Sequence, residues 1–344
     1  MSIRFDAHRT IAWSCLALAW ALTPAFAEAQ EDAAPAPAPA PTQAEVRQEM
    51  TRFAPGTVRV IPPQPTAEET FSGPLELSGL LQKHPEIEWS APEFEEGRPH
   101  FDPRTRTLVE MAQQVILRRE IFCFEFAFKP LRQIYVDVPQ PDGTMNRKLI
   151  WYMVYRVRYR GGDLRPAADE DAKQPVYDRI ESVGYESRHF FPMLVLANQA
   201  TGKEYLDRIL PAIKPKIKAR EKITTTLHNS VDISSIPIPR TTDPAAPGVW
   251  GVATWEDVDP NIDFFSVFVY RLTNAFREVE SAEGKSVYEQ KVLQLNFYRP
   301  GDTVAQIEDQ VRFGIPAYTD PEEQQYVLEQ YGLEKPLDYK WKFR

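Results

Sequence analysis

The chain has 344 residues, of which 40 are basic and 49 acidic, giving a net charge of −9; 31 are proline, and Cys15 and Cys123 are its two cysteines. An acidic balance excludes general nucleic-acid binding, which depends on neutralising phosphates with Lys and Arg, and offers no charge attraction to anionic lipid. Proline at this density excludes long helices.

Residues 1–27 read as a secretory signal peptide. Arg4 and Arg9 form the positive start, an apolar run covers 11–22, and Thr23-Pro24 precedes the small-x-small site Ala25-Phe26-Ala27. The run is shorter than the ~20 apolar residues a spanning helix needs, and no later segment is longer, so no transmembrane helix is expected in the mature chain. The protein is therefore expected to be exported, to the periplasm, the cell envelope or the exterior. Arg4, Arg9 and Asp6 carry +1 between them, so removing the segment takes −9 to −10. Cys15 leaves with it, and Cys123 stays alone, expected to be buried, with no internal disulfide to brace the fold. Residues 28–43 are a disordered linker, whose Ala-Pro alternation at 34–41 favours an extended, polyproline-like spacer. Residues 44–100 form a Pro-rich, weakly structured arm without a core of its own. Its apolar pieces at 58–61 and 75–81 are expected to pack over the main domain.

The main domain is placed at 101–344. Asp102-Pro103 starts a helix, and Leu108, Met111, Ala112, Val115 and Ile116 continue at helical spacing as far as Arg119. The period then changes to two. Phe122, Phe124, Phe126 and Phe128 fall on one face of a strand, with Ile121, Cys123, Glu125 and Ala127 on the other. Lys129-Pro130 interrupts it and 131–138 resumes it. Pro139-Gln140-Pro141-Asp142-Gly143 makes a turn. In 149–159, Trp151, Met153, Tyr155, Val157 and Tyr159 form the core face, while Arg156, Arg158 and Arg160 take the solvent end of the other. Gly161-Gly162 ends the strand, and 163–173 reads as an exposed loop. Further strands are expected at 187–197, 249–255, 264–271, 287–298 and 339–343. The expected fold is all-β: an antiparallel β-sandwich of immunoglobulin-like type, with one N-terminal helix and an extended Pro-rich N-terminal segment.

Four segments carry a resemblance: Phe126-Ala127-Phe128-Lys129-Pro130-Leu131-Arg132, Ile150-Trp151-Tyr152-Met153-Val154-Tyr155-Arg156-Val157, Trp255-Glu256-Asp257-Val258-Asp259-Pro260 and Leu293-Gln294-Leu295-Asn296-Phe297-Tyr298-Arg299-Pro300-Gly301-Asp302. They resemble a family of uncharacterised exported bacterial β-rich proteins. The likeness runs over 101–316 and implies one continuous domain there; it brings no activity, substrate or site residue.

Two polar constellations stand out. Asp257, Asp259, Asn261 and Asp263 sit at every second position, an oxygen-rich set suited to Ca²⁺. The EF-hand pattern departs at Ile262, where glycine belongs, and at Phe268, where glutamate belongs, so a turn with acidic side chains capping backbone amides is the leading reading. Lys214, Lys216, Lys218, Arg220 and Lys222 would, if extended, line one face as a strip for an anionic glycan or other polyanion. A guarded strand edge or a solvated face accounts for the same pattern. Residues 205–209 read as a helical turn just before it.

Catalytic motifs fail, and no catalytic residue is assigned. Gly284-Lys285-Ser286 imitates a phosphate loop, but Val279 stands where the opening glycine should be. His84, His100, His189 and His228 show no metal-ligand spacing, and His189 beside Phe190 and Phe191 reads as structural. The leading expectation is a non-catalytic structural or ligand-binding protein of the cell envelope, with an envelope protein or glycan as partner and no cofactor unless Ca²⁺. The alternative is a secreted hydrolase of glycan or peptide with its site on inter-strand loops. Oligomerisation through a sheet edge is a third.

Overall fold

The computed structural model describes residues 58–72, 117–139, 142–168, 177, 179–281, 286–300 and 311–344. The expected signal peptide, linker, 75–81 piece, the helix over 102–116 and Gly284-Lys285 lie outside the described residues. Among the described residues, strands account for 48% and helices for 13%, in several antiparallel sheets.

In chain order, β1 (Arg59–Ile61), a 3-10 turn at Ala67–Thr70, β2 (Phe71–Ser72) and β3 (Leu117–Arg118) come first. Next are β4 (Glu125–Phe128), β5 (Arg132–Pro139), β6 (Met145–Arg158), β7 (Asp163–Ala167), β8 (Arg179–Val183), β9 (Ser187–His189), β10 (Met193–Asn198) and β11 (Lys203–Leu206). Helices α1 (Lys214–Arg220) and α2 (Ser230–Ser234) flank β12 (Leu227–His228). Then follow β13 (Pro237–Pro239), β14 (Val249–Glu256), β15 (Phe264–Tyr270), β16 (Phe276–Glu280), β17 (Ser286–Tyr298), β18 (Arg312–Phe313), α3 (Pro321–Gln330) and β19 (Tyr339–Phe343).

Each large sheet hangs on one long strand. In the first, β6 is 14 residues long. On one flank it pairs with β5 and then β4; on the other it pairs with β14, which holds β12 in parallel. Lys129-Pro130 separates β5 from β4 as expected, because proline has no N–H for the ladder. β1 pairs with the outer side of β4 and buries Ile61 completely, so the 58–61 piece does pack onto the main domain. In the second sheet, β17 is 13 residues long. It pairs with β15 and then β16 on one flank, and with β18 and β19 on the other. β10 and β11 extend the sheet beyond β15.

The inner faces of both sheets share one core. Phe124, Phe126, Phe128, Trp151, Met153, Tyr155 and Val157 meet Leu194, Leu196, Phe265, Val267, Leu293, Leu295 and Phe297. Phe128 lies 6.0 Å from Phe297 and Trp151 5.5 Å from Phe265, both edge-on. The two-residue periodicity at 121–128 and 149–159 thus marks the core face, where each ring sealed from water contributes ~1.5–3 kcal/mol. The outer face of the first sheet is buried as well. Val136, Ile150, Tyr152, Val154 and Val252 pack against Ile213, Ile217 and Ile223, on and around α1.

Several expectations are corrected. Leu117–Arg118 is extended and pairs with β2, so the predicted helix does not reach Arg119. Arg158 is buried rather than at the solvent end, because Glu125 lies opposite it in the ladder and a buried carboxylate needs cationic partners; Arg158 and Arg160 both bind it. The start of the supposed loop at 163–173 is strand β7, anchored by the fully buried Asp163. The supposed helical turn at 205–209 begins in β11, whose backbone is taken by β10. The strand expected over 187–197 breaks at Phe190-Phe191-Pro192, where β9 leaves to pair with β13. Helix α3, capped by Asp320 with Pro321 in its first turn, was not anticipated.

Candidate functional site

The break at Pro192 shapes the site. β10 pairs with β15 from Met193 onward, opposite Tyr270. Had the chain run straight, the residues before Met193 would have covered the next part of that flank, toward β16. Since β9 turns away to β13, β16 ends the strand order of its sheet among the described residues. A cleft of about 760 Å³ opens there. Phe276 and Glu278 of β16 line it with their register partners Gln290 and Tyr288 of β17. Ser187, Arg188 and His189 of β9, together with Phe191, form another wall. Leu117, Phe122 and the 271–275 turn supply the rest.

Apolar side chains stand open to solvent around it. Leu117 is 49% exposed, Phe191 53% and Tyr288 56%. Exposed apolar groups gathered at a concavity mark an interaction site more often than a resting surface.

Arg188 is held from beneath. Its Nε donates to Asp163 Oδ2 at 2.8 Å, and Nη2 reaches both Asp163 and Glu120. The guanidinium lies 4.5 Å from the Phe122 ring and 4.7 Å from that of Tyr185. Tyr159 Oη donates to Asp163 at 2.6 Å, and Tyr185 Oη to Glu120 at 2.5 Å. Burial works against the charge of Arg188, but the bonds to Asp163 and Tyr159 outweigh it and its pKa is raised. Nε and Nη2 of this cation are therefore committed to carboxylates, and its ring contacts shape the wall.

Arg271 differs in every respect. It is exposed and makes no hydrogen bond or ion pair among the described residues. Its φ of +63° places it in the left-handed region, which costs a non-glycine residue ~1 kcal/mol. The turn has a cause: directly after β15 the chain swings to meet the 121–124 segment. Phe124 N–H donates to Leu272 O at 2.8 Å, and Thr273 bridges Cys123. Cys123 is buried as expected, and burial pushes its thiol up to about 12.

His189 is exposed; its Nδ1 lies 3.1 Å from the carbonyl oxygen of Ser234, and its ring stacks on Phe191. A carbonyl only accepts, so Nδ1 carries the proton of this bond.

The two polar constellations singled out in sequence lie elsewhere. Asp257, Asp259, Asn261 and Asp263 occupy the turn between β14 and β15. Asp259 Oδ1 accepts from Asn261 N–H at 2.9 Å, Asp257 pairs with Lys148 at 3.1 Å, and Asp263 O accepts from Arg299 N–H at 2.9 Å. Among the described residues, no three His, Cys, Asp or Glu side chains gather as a metal group. The cationic strip is corrected. Lys214, Lys216, Lys218 and Arg220 lie on α1, because Ile213 and Ile217, four apart, dock on the sheet and wind the segment into a helix. Lys214 pairs with Asp232 at 2.6 Å, Arg220 donates to Gln133 O, and Lys222 follows the helix with φ +53°.

One further polar pair has a hydrolytic look. Ser230 Oγ donates to Asp207, which also accepts from Thr254 N–H at 2.7 Å; burial pushes Asp207 up to about 6. The backbone N–H groups beside Ser230, of Val231 and Asp232, are already bound by Asn229 Oδ1 at 3.0 and 2.7 Å. Those donors are spent on capping α2 rather than on a developing oxyanion. The pair ties α2 to β14.

Arg188, Arg271, Phe276 and Tyr288 were not picked out in sequence. Pro192 after two phenylalanines was the available signal, since proline demotes a run to an edge or a break. Comparison with protein families, curated proteins and solved structures finds no match to this chain.

Proposed function

We propose that this chain is an exported, non-catalytic ligand-binding protein of the cell envelope, with the cleft between β9 and β16 as its ligand site. The cleft carries the reading: its volume lies within the ~300–1,000 Å³ of small-molecule sites, and open aromatic rings surround a few convergent polar groups. Use of the two-sheet body as an immunoglobulin-like sandwich, with the site at one sheet's end, belongs to the same proposal. So do export by residues 1–27 and kinship with the exported bacterial family. The shared core supports the sandwich, and the n-region, apolar run and small-x-small site support export.

The test uses uncharged N-phenyl-1-naphthylamine, which fluoresces in apolar surroundings. Wild-type protein is expected to bind it saturably, and Phe191→Glu to lose that binding with an unchanged melting temperature, since Phe191 is exposed. Absence of saturable binding, or equal binding by the variant, overturns the assignment.

A further inference from the structure

We infer that the cleft takes an apolar organic anion and that Arg271 receives its acidic group. This rests on the ligand-binding reading above and adds the ligand's chemistry. The arginine and carboxylate side chains lining the cleft are Arg188, Arg271 and Glu278. The charge of Arg188 is already answered by two carboxylates, Asp163 and Glu120. That leaves Arg271 as the cation on offer, in a chain whose overall charge is −9.

The turn that carries Arg271 is fixed in its backbone. Leu272 O is bonded to Phe124 N–H and Ala275 O to Lys291 N–H, at 2.8 and 2.9 Å. Asn274 ties both ends of its amide to the opposing chain: Oδ1 accepts from Phe122 N–H at 3.0 Å and Nδ2 donates to Glu120 O at 2.7 Å. The fixed turn holds the Cα of Arg271 at the rim, and the planar fork of its guanidinium suits a carboxylate or a sulfonate. Glycine would occupy φ +63° without strain, yet arginine stands there, at the rim of an aromatic cleft.

Glu278 gives the inference a sign. It sits on β16 opposite Tyr288 and has no ion pair among the described residues. Its charge repels an anion, so the acidic group is directed to the 271–275 end and the apolar body toward Phe122, Phe191 and Phe276. A second acidic group is disfavoured, which makes the ligand a monoanion.

The test pairs two probes with one skeleton, 1-anilinonaphthalene-8-sulfonate and the uncharged N-phenyl-1-naphthylamine, titrated by fluorescence. Wild type is expected to bind the sulfonate about tenfold more tightly, the scale of one charge-assisted contact at a part-exposed site. Arg271→Gly is expected to erase that preference, read as the ratio of the two probes' affinities on the same variant, with the melting temperature equal or higher. Glu278→Gln is expected to widen the preference. If the neutral probe binds and the sulfonate binds no tighter, or if Arg271→Gly keeps the preference, the inference is overturned and the ligand-binding reading survives. If neither probe binds, the reading itself falls and the inference with it.

Discussion

The flanks of β6 and β17 are interrupted in the same way and finished in opposite ways. Beside β6, the gap at Lys129-Pro130 is sealed. Lys129 N–H still reaches Val154 O, and its Nζ bonds Glu221, which also accepts from Tyr152 Oη at 2.8 Å and pairs with Arg132 at 3.4 Å. Helix α1 then covers the outer face with Ile213 and Ile217. Beside β17, the gap at 271–275 is followed by β16, which ends the strand order of its sheet among the described residues and whose Phe276 O accepts from Arg119, and the cleft opens there. Interrupting a ladder is thus neutral in itself. What covers the break decides whether it becomes core or open cleft.

The sharpest way to break this comparison is to unseal the closed gap. Glu221→Ala leaves Lys129, 6% exposed, as a buried cation without its carboxylate. A loss of ~3–5 kcal/mol is expected, because desolvation of the orphaned charge is no longer compensated. Urea denaturation of the two proteins measures it. A loss below ~1 kcal/mol would mean that Lys129 escapes to water and that this gap is as open as the other.

Neighbouring phenylalanines give the next test. Phe190 is fully buried, with its ring 5.6 Å from Phe124, whereas Phe191 is 53% exposed at the cleft. Phe190→Ala is expected to cost ~3–5 kcal/mol and Phe191→Ala no more than ~0.5 kcal/mol. Similar costs for both, by thermal or chemical denaturation, would place Phe191 in the core and remove it from the cleft wall.

The same contrast explains what was legible beforehand. Alternating Phe122 to Phe128 and Trp151 to Tyr159 announced their faces, because in a strand the period alone assigns the side. The interruption at Lys129-Pro130 was equally plain, since it is local chemistry. Arg158 was misplaced because its partner, Glu125, is 33 residues away, across the ladder. The lysines of α1 alternate as a strand would, and the stronger signal was the Ile213–Ile217 pair, which has helical spacing. Asp320-Pro321-Glu322-Glu323 carries a helix start in its local chemistry: a capping carboxylate, proline in the first turn and two acids after it. The cleft belongs to none of these patterns. Phe122, Arg188, Arg271 and Phe276 come together only because the chain departs at Pro192, and no local periodicity records where a departing strand leaves a vacancy.

Asp207 sets a smaller effect, at the joint between β11 and β14. Burial raises its pKa from an unfolded value of ~3.9 to about 6, so the folded state holds the proton more tightly. The stabilisation from this group is complete below about pH 4 and is lost as pH rises through about 6. The difference in stability between wild type and Asp207→Asn should therefore shift by ~2–3 kcal/mol in favour of wild type on going from pH 7 to pH 4. Taking the difference removes the carboxylates whose pKa values are lowered, such as Asp232 beside Lys214, which act in the opposite direction. A pH-independent difference would mean that Asp207 is solvated and that the Ser230 contact does not hold α2 to the sheet.

The smallest expected effect is none at all, and it concerns a loop that is closed where the cleft is open. In the β14–β15 turn, Asp259 spends Oδ1 on the Asn261 amide and its own N–H on Tyr205 Oη, each at 2.9 Å. Asp257, in the left-handed region at φ +55°, faces Lys148. A cation entering here would have to displace Lys148 and undo the turn that positions its own ligands, so its binding energy would go into dismantling the site. Millimolar Ca²⁺ and chelator are accordingly expected to leave the melting temperature unchanged. A rise of several degrees with Ca²⁺, abolished by Asp259→Ala, would show instead that the acidic turn rearranges around metal, and that a loop satisfied by its own hydrogen bonds is still free to bind.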